Sequence, residues 1–161
     1  MGSADCLRQQ HRELLKLASD IAPLLEIGML ARGCTAARLR LSTFVRKLRV
    51  HLALEERYVY QRLVRHADRA VATLATRHHQ ETRSLGELVT RHADQWRLTD
   101  DAAIEGARSS FAEQTKHLFE EVSKRFRLED DELYPLVDQI RSSGTWPFES
   151  IAEQDEKRRT G

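Results

Sequence analysis

The sequence predicts an all-α fold, an antiparallel up-down-up-down four-helix bundle. Three observations carry that expectation. Long stretches repeat their apolar residues at the helical period of about 3.6 residues. Short polar connections, such as His66-Ala67-Asp68 and Thr99-Asp100-Asp101, separate those stretches. Seven Gly and three Pro in 161 residues leave few breaks. Helices of this kind bury their apolar stripes by packing on antiparallel neighbours. The chain is long enough for one domain with a real core. That domain is expected to be residues 1–141, with residues 142–161 a tail that packs through Trp146 and Phe148 and is then loose.

The first helix is expected from about Ser3 to Leu30, with Ser3 or Asp5 as N-cap and Leu7, Leu14, Leu15, Ala18, Ile21 and Leu25 on one face. His11 lies at the edge of that face. Pro23 either kinks the helix or makes its last turn a separate piece. Thr35 can cap the second helix, which carries Leu39, Leu41, Phe44, Leu48, His51, Glu55 and Val59 to about Val64. The third helix runs from the polar hinge to about Trp96, with Val71, Leu74, His78, Glu81, Leu85, Leu88, Val89, His92 and Trp96 inward and His79 facing water. The last continues to about Ile140 through Phe111, Leu118, Val122, Phe126, Glu129 and Leu133, with a break near Gly106 and Pro135 near its end.

Composition excludes several classes. Acids and bases nearly cancel to a formal net charge of +1 and are spread along the chain, which leaves no basic footprint for nucleic acid or an anionic membrane. No apolar run approaches the ~18 residues of a spanning helix, and the start MGSADCLRQQ is polar. The expected location is the cytoplasm, where Cys6 and Cys34, lacking CxxC spacing, are free thiols.

One stretch and its echo carry the chemistry. His51-Leu52-Ala53-Leu54-Glu55-Glu56-Arg57-Tyr58-Val59-Tyr60 returns 74 residues on, with Leu54 matched by Leu128, Glu55 by Glu129, Glu56 by Asp130 and Tyr60 by Tyr134. His51, however, is matched by Arg125. His51 and Glu55 are one turn apart and lie inside an apolar stripe. Burying them costs several kcal/mol unless something compensates them. At matching heights of a bundle, His11, His51, Glu55, Glu81 or His78, Arg125 and Glu129 converge, and such carboxylate and imidazole sets hold iron or manganese.

These residues resemble the hemerythrin-like HHE cation-binding domains, whose pattern is a lone His, then HxxxE, an acidic residue and an aromatic or Leu-Tyr-Pro run, repeated once. His11, His51 with Glu55 and Glu56, and Glu129-Asp130 with Leu133-Tyr134-Pro135 match it over roughly residues 7 to 137. The resemblance implies a protein that binds iron, mono- or dinuclear, and responds to O2, NO or peroxide, with His11, His51, Glu55, Glu81, Glu129 and His78 as metal ligands. It also implies histidines on the third helix and at Arg125. His11 precedes Glu55 by 44 residues, whereas Glu81 precedes Glu129 by 48 and His78 by 51, so Glu81 fits the third-helix position better.

Arg125 brings a fixed charge and five donors to where one ion of a binuclear site would stand. A guanidinium and a metal would compete for the same carboxylates and repel each other, so at most a single metal is expected, held by His11, His51 and Glu55 with Glu129 or His78. The alternative is a metal-free bundle with Arg125 as its interior cation, serving as a regulatory or interaction module. A redox enzyme acting on peroxide or oxygen would need an open coordination position. The sequence identifies no protein partner.

Overall fold

The computed structural model describes residues 3–144, and side chains from residue 4 onward. The expected tail contacts of Trp146 and Phe148 lie outside the described residues. All regular structure among the described residues is helical. Helix α1 spans Ser3–Ile21, and a 3-10 turn at Ala22–Leu25 separates it from a short α2, Ile27–Arg32. Pro23 decides between the two readings of this region. It sits in the first turn of the 3-10 segment, where its missing N–H costs nothing, and Glu26 is extended at φ −62° and ψ 135°.

Helix α3, Thr35–Glu55, runs into a π-helical turn, Glu56–Tyr60, and a last short turn α4, Gln61–Leu63. Thr35 does not cap α3. Its hydroxyl donates to Asp101 instead, beside Arg38 Nε at 2.5 Å from Asp101 Oδ1, so the pair ties the connection after α5 to the start of α3. Helix α5, Arg69–Trp96, is capped by Asp68, whose Oδ1 accepts the Ala70 and Val71 amides at 2.8 and 3.4 Å. A four-residue α6, Ala102–Glu105, precedes α7, Arg108–Leu128, with the break at Gly106 and Ala107. A second π-helical turn, Glu129–Leu133, joins α7 to α8, Tyr134–Ser142.

Two apolar clusters fill the interior. The larger holds Leu14, Ile21, Leu41, Phe44, Leu48, Leu85, Trp96, Phe111 and Phe126, among others. The smaller holds Leu7, Val59, Tyr60, Val71, Leu133, Tyr134 and Val137. Between them lies a buried polar layer of His11, His51, Glu55, His78, Thr82, Arg125 and Glu129. Helix α1 passes from the smaller cluster through the layer to the larger, α3 returns, α5 repeats the first sense and α7 the second. Each large apolar side chain buried on either side is worth about 1.5–3 kcal/mol. That sum offsets a polar layer which, unpaired, would cost several kcal/mol per charge.

The helical faces differ from expectation at several positions. Leu39 is 54% exposed, and Ala37 and Val45 take the inward places on α3. On α5, Glu81 is exposed and Thr82 is buried, so the inward stripe runs Val71, Ala75, His78, Thr82, Leu85, Val89, His92 and Trp96. No helix among the described residues is long and apolar enough to cross a membrane.

Candidate metal centre

His11 and His51 enter the polar layer from adjacent helices, each with one ring nitrogen already engaged. His11 Nδ1 is 3.1 Å from Asp130 Oδ1, and His51 Nδ1 is 2.9 Å from Gln10 Oε1. Phe126 stacks on the His11 ring at 3.8 Å and meets His51 edge-on at 5.2 Å, which fixes both planes. With N–H at each Nδ1, both Nε2 lone pairs point inward, and they lie 3.1 Å apart. Two facing lone pairs repel. A cation between the rings would relieve that repulsion.

The carboxylates add to the demand for a cation. Glu55 Oε2 and Glu129 Oε2 are buried and have no hydrogen-bond partner. They lie 3.6 Å from His51 Nε2 and 3.4 Å from His11 Nε2. A metal ion could serve all four atoms. His11, His51, Glu55 and Glu129 each present a ligand atom within 4.8 Å of the others, and all four are buried. The donor set suits a first-row divalent metal.

Each carboxylate's other oxygen is occupied, and a tyrosine from the opposite half supplies a donor to each. Tyr134 Oη donates to Glu55 Oε1 at 2.5 Å and lies 3.1 Å from His11 Nε2. Tyr60 Oη donates to Glu129 Oε1 at 3.2 Å and contacts Thr82 Oγ1 at 2.9 Å. Both tyrosines stand five residues after a glutamate. In an α-helix that position turns away from the glutamate, but a π-helical turn places residue i+5 where an α-helix puts i+4. The two π turns therefore swing both hydroxyls into the layer. The repeated Glu-to-Tyr spacing of five was the sequence signal for this role.

Arg125 fills the rest of the layer. Its Nε donates to Glu129 Oε1 at 2.9 Å, and its two terminal nitrogens donate to Glu81 Oε2 and His78 Nδ1. His78 in turn donates from Nε2 to Glu132 Oε2 at 3.0 Å. The third-helix position nearest the four-atom group is thus held by Thr82, which donates to Glu129 Oε1 at 2.9 Å. Glu81 instead reaches Arg125 from the surface, and His78 serves it from the interior. His79 is also not the water-facing residue expected. It is half-buried, pairs with Glu56 at 2.5 Å and stacks on Tyr60 at 5.0 Å.

The electrostatics follow from these contacts. Burial, with His11 adding to it, lowers the His51 pKa to about 3, so its Nε2 is a lone pair. Burial and the neighbouring Glu129 raise the Glu55 carboxyl well above its ordinary range. Burial pushes Glu129 upward too, but His11, 3.4 Å from its Oε2, and the Arg125 charge outweigh it and hold that carboxyl below its usual range. Burial opposes the Arg125 charge as well, yet Glu129 and its other neighbours raise its pKa overall. A cation held there would supply the positive charge that Glu55 lacks.

Residues 3–137 match the family model of the hemerythrin HHE cation-binding domain. The chain belongs to that family. No curated protein and no solved structure gives a significant match. In this hemerythrin-type domain the four inward ligand atoms could hold a metal cation. A second group, Cys34, Asp101 and Glu105, is also close enough to share an ion. There the Asp101 carboxylate is taken by Thr35 and Arg38, and its work is to anchor a connection.

Proposed function

We propose that this hemerythrin-type domain holds one iron ion between His11, His51, Glu55 and Glu129 and responds through it to O2, NO or peroxide. The observation that carries the reading is the pair of buried, unpartnered oxygens, Glu55 Oε2 and Glu129 Oε2, facing two imidazole nitrogens. Two histidines and two carboxylates suit Fe(II), and four protein ligands leave room for an exogenous one. When bound, iron would supply a redox-active Lewis acid able to take a diatomic ligand or peroxide. The chain's own residues prepare for it. Asp130 and Gln10 fix the imidazole tautomers, Tyr134 and Tyr60 hold the carboxylates, and the two apolar clusters exclude water from either side.

Elemental analysis tests this directly, after anaerobic incubation with ferrous iron and desalting, beside His51→Ala. About one equivalent should remain on the wild type and be lost from the variant. Retained iron should then give an absorption band that shifts on adding O2, NO or peroxide. No metal on the folded wild type would sink the proposal and leave a metal-free module with Arg125 as its interior cation.

A further inference from the structure

We infer that Arg125 is a built-in second cation, which confines this protein to a single metal ion. The inference rests on the metal-binding reading of the first half-site, and it comes from comparing the two halves of the molecule.

The repeat is carried through into three dimensions. In each half an inward glutamate lies at a π turn, and a tyrosine five residues on reaches the glutamate of the other half, Tyr134 to Glu55 and Tyr60 to Glu129. The crossed hydrogen bonds make Glu55 and Glu129 counterparts, and the residues four before them are counterparts too. One is His51, whose Nε2 is an acceptor. The other is Arg125, which is a cation.

Around Arg125 stand the acceptors that a metal would use. Glu129 Oε1, Glu81 Oε2 and His78 Nδ1 each receive one nitrogen of the guanidinium, whose side chain is only 5% exposed. The oxygens left without a partner, Glu55 Oε2 and Glu129 Oε2, are the ones next to His51 and His11. Demand for a cation is met in the second half and unmet in the first. Glu129 is divided between them, with Oε1 committed to Arg125, Tyr60 and Thr82 and Oε2 free for a metal. A second ion would have to displace a tethered charge of the same sign.

Solvent can reach the second position. A cleft of about 520 Å³ between α5 and α7 has Arg125 in its lining, with Glu81, Leu85, Lys124 and Leu128 beside it. Exclusion of an ion there is therefore the work of the guanidinium.

The test is metal stoichiometry, with Fe(II) under anaerobic conditions and Mn(II) as a redox-inert probe, measured by elemental analysis on protein whose helicity is checked by circular dichroism. Wild type should retain one equivalent of either metal, and Arg125→His should retain one more. Arg125→Lys keeps the charge and should stay at the wild-type value. Two equivalents on the wild type would overturn the inference, whether or not Arg125→His folds. So would a folded Arg125→His with unchanged stoichiometry, or a gain in Arg125→Lys. None on the wild type with one on Arg125→His would remove the first-half site while upholding Arg125 as a cation in a metal's place. None on either removes both.

Discussion

The hydroxyl of Tyr134 is the donor to Glu55 Oε1, and the other oxygen of that carboxyl has no partner. Glu129 Oε1, by contrast, receives Arg125 and Thr82 as well as Tyr60. The two otherwise equivalent tyrosines should therefore differ in worth. In the presence of chelator, Tyr134→Phe should cost about 2–3 kcal/mol, because it strands a buried carboxyl, while Tyr60→Phe should cost about 1 kcal/mol. Urea denaturation of both variants reads this difference, and equal losses would show that the hydroxyls are not apportioned in this way. At this scale the sequence revealed His11, His51, Glu55, Glu129 and Arg125, since titratable residues on an apolar stripe need compensation. It did not separate Glu81 from Thr82. Both lie within one turn of His78, and side-chain length decides: a short hydroxyl fits inside, while a long carboxylate reaches Arg125 from the surface.

Helix starts, stops and breaks at Pro23 and near Gly106 were legible because each has a local cause in the backbone. The π turns were not, because a single wide turn barely disturbs a periodicity averaged over several turns. Pro135 suits the second of them, since its ring would clash with the carbonyl four residues back in a regular helix. The first has Gln61 at that place and forms all the same, so the common requirement is the inward tyrosine. A π turn amounts to one inserted residue. Deleting the exposed Arg57 should therefore restore a regular helix and leave Tyr60 facing Glu129, with stability within about 1 kcal/mol of wild type. Deleting the equally exposed Ala53, one turn earlier in regular helix, should rotate His51 out of register with Glu55, Val59 and Tyr60 and cost more than about 3 kcal/mol. Thermal and urea melts of the two deletions distinguish these cases, and similar losses would argue that the wide turn has no slack to give up.

Across the described residues, a polar layer is held between two apolar clusters, and one buried histidine lies outside the layer. The bundle class was readable from period and connection length, whereas the layering needed the heights of residues on different helices, which a linear pattern does not contain. His92 belongs to the larger apolar region. Its Nε2 is 3.0 Å from Thr115 Oγ1, its Nδ1 is buried without a partner, and burial lowers its pKa from 6.5 to about 4. The unfolded chain takes up a proton at this ring as pH falls through 6.5, and the folded chain does so only near 4. Its stabilising contribution is thus complete above pH 6.5 and is lost progressively down to pH 4, to an extent of about 3 kcal/mol. His51 is shifted in the same direction, to about 3, and adds to the same trend. His92→Gln keeps a polar group opposite Thr115 but does not titrate. Between pH 7 and pH 4, wild type should lose about 3 kcal/mol more than His92→Gln in urea denaturation with chelator present. Parallel pH profiles would mean that the ring takes its proton near the ordinary value, and that the larger apolar region is wetter at His92 than its 4% exposure implies.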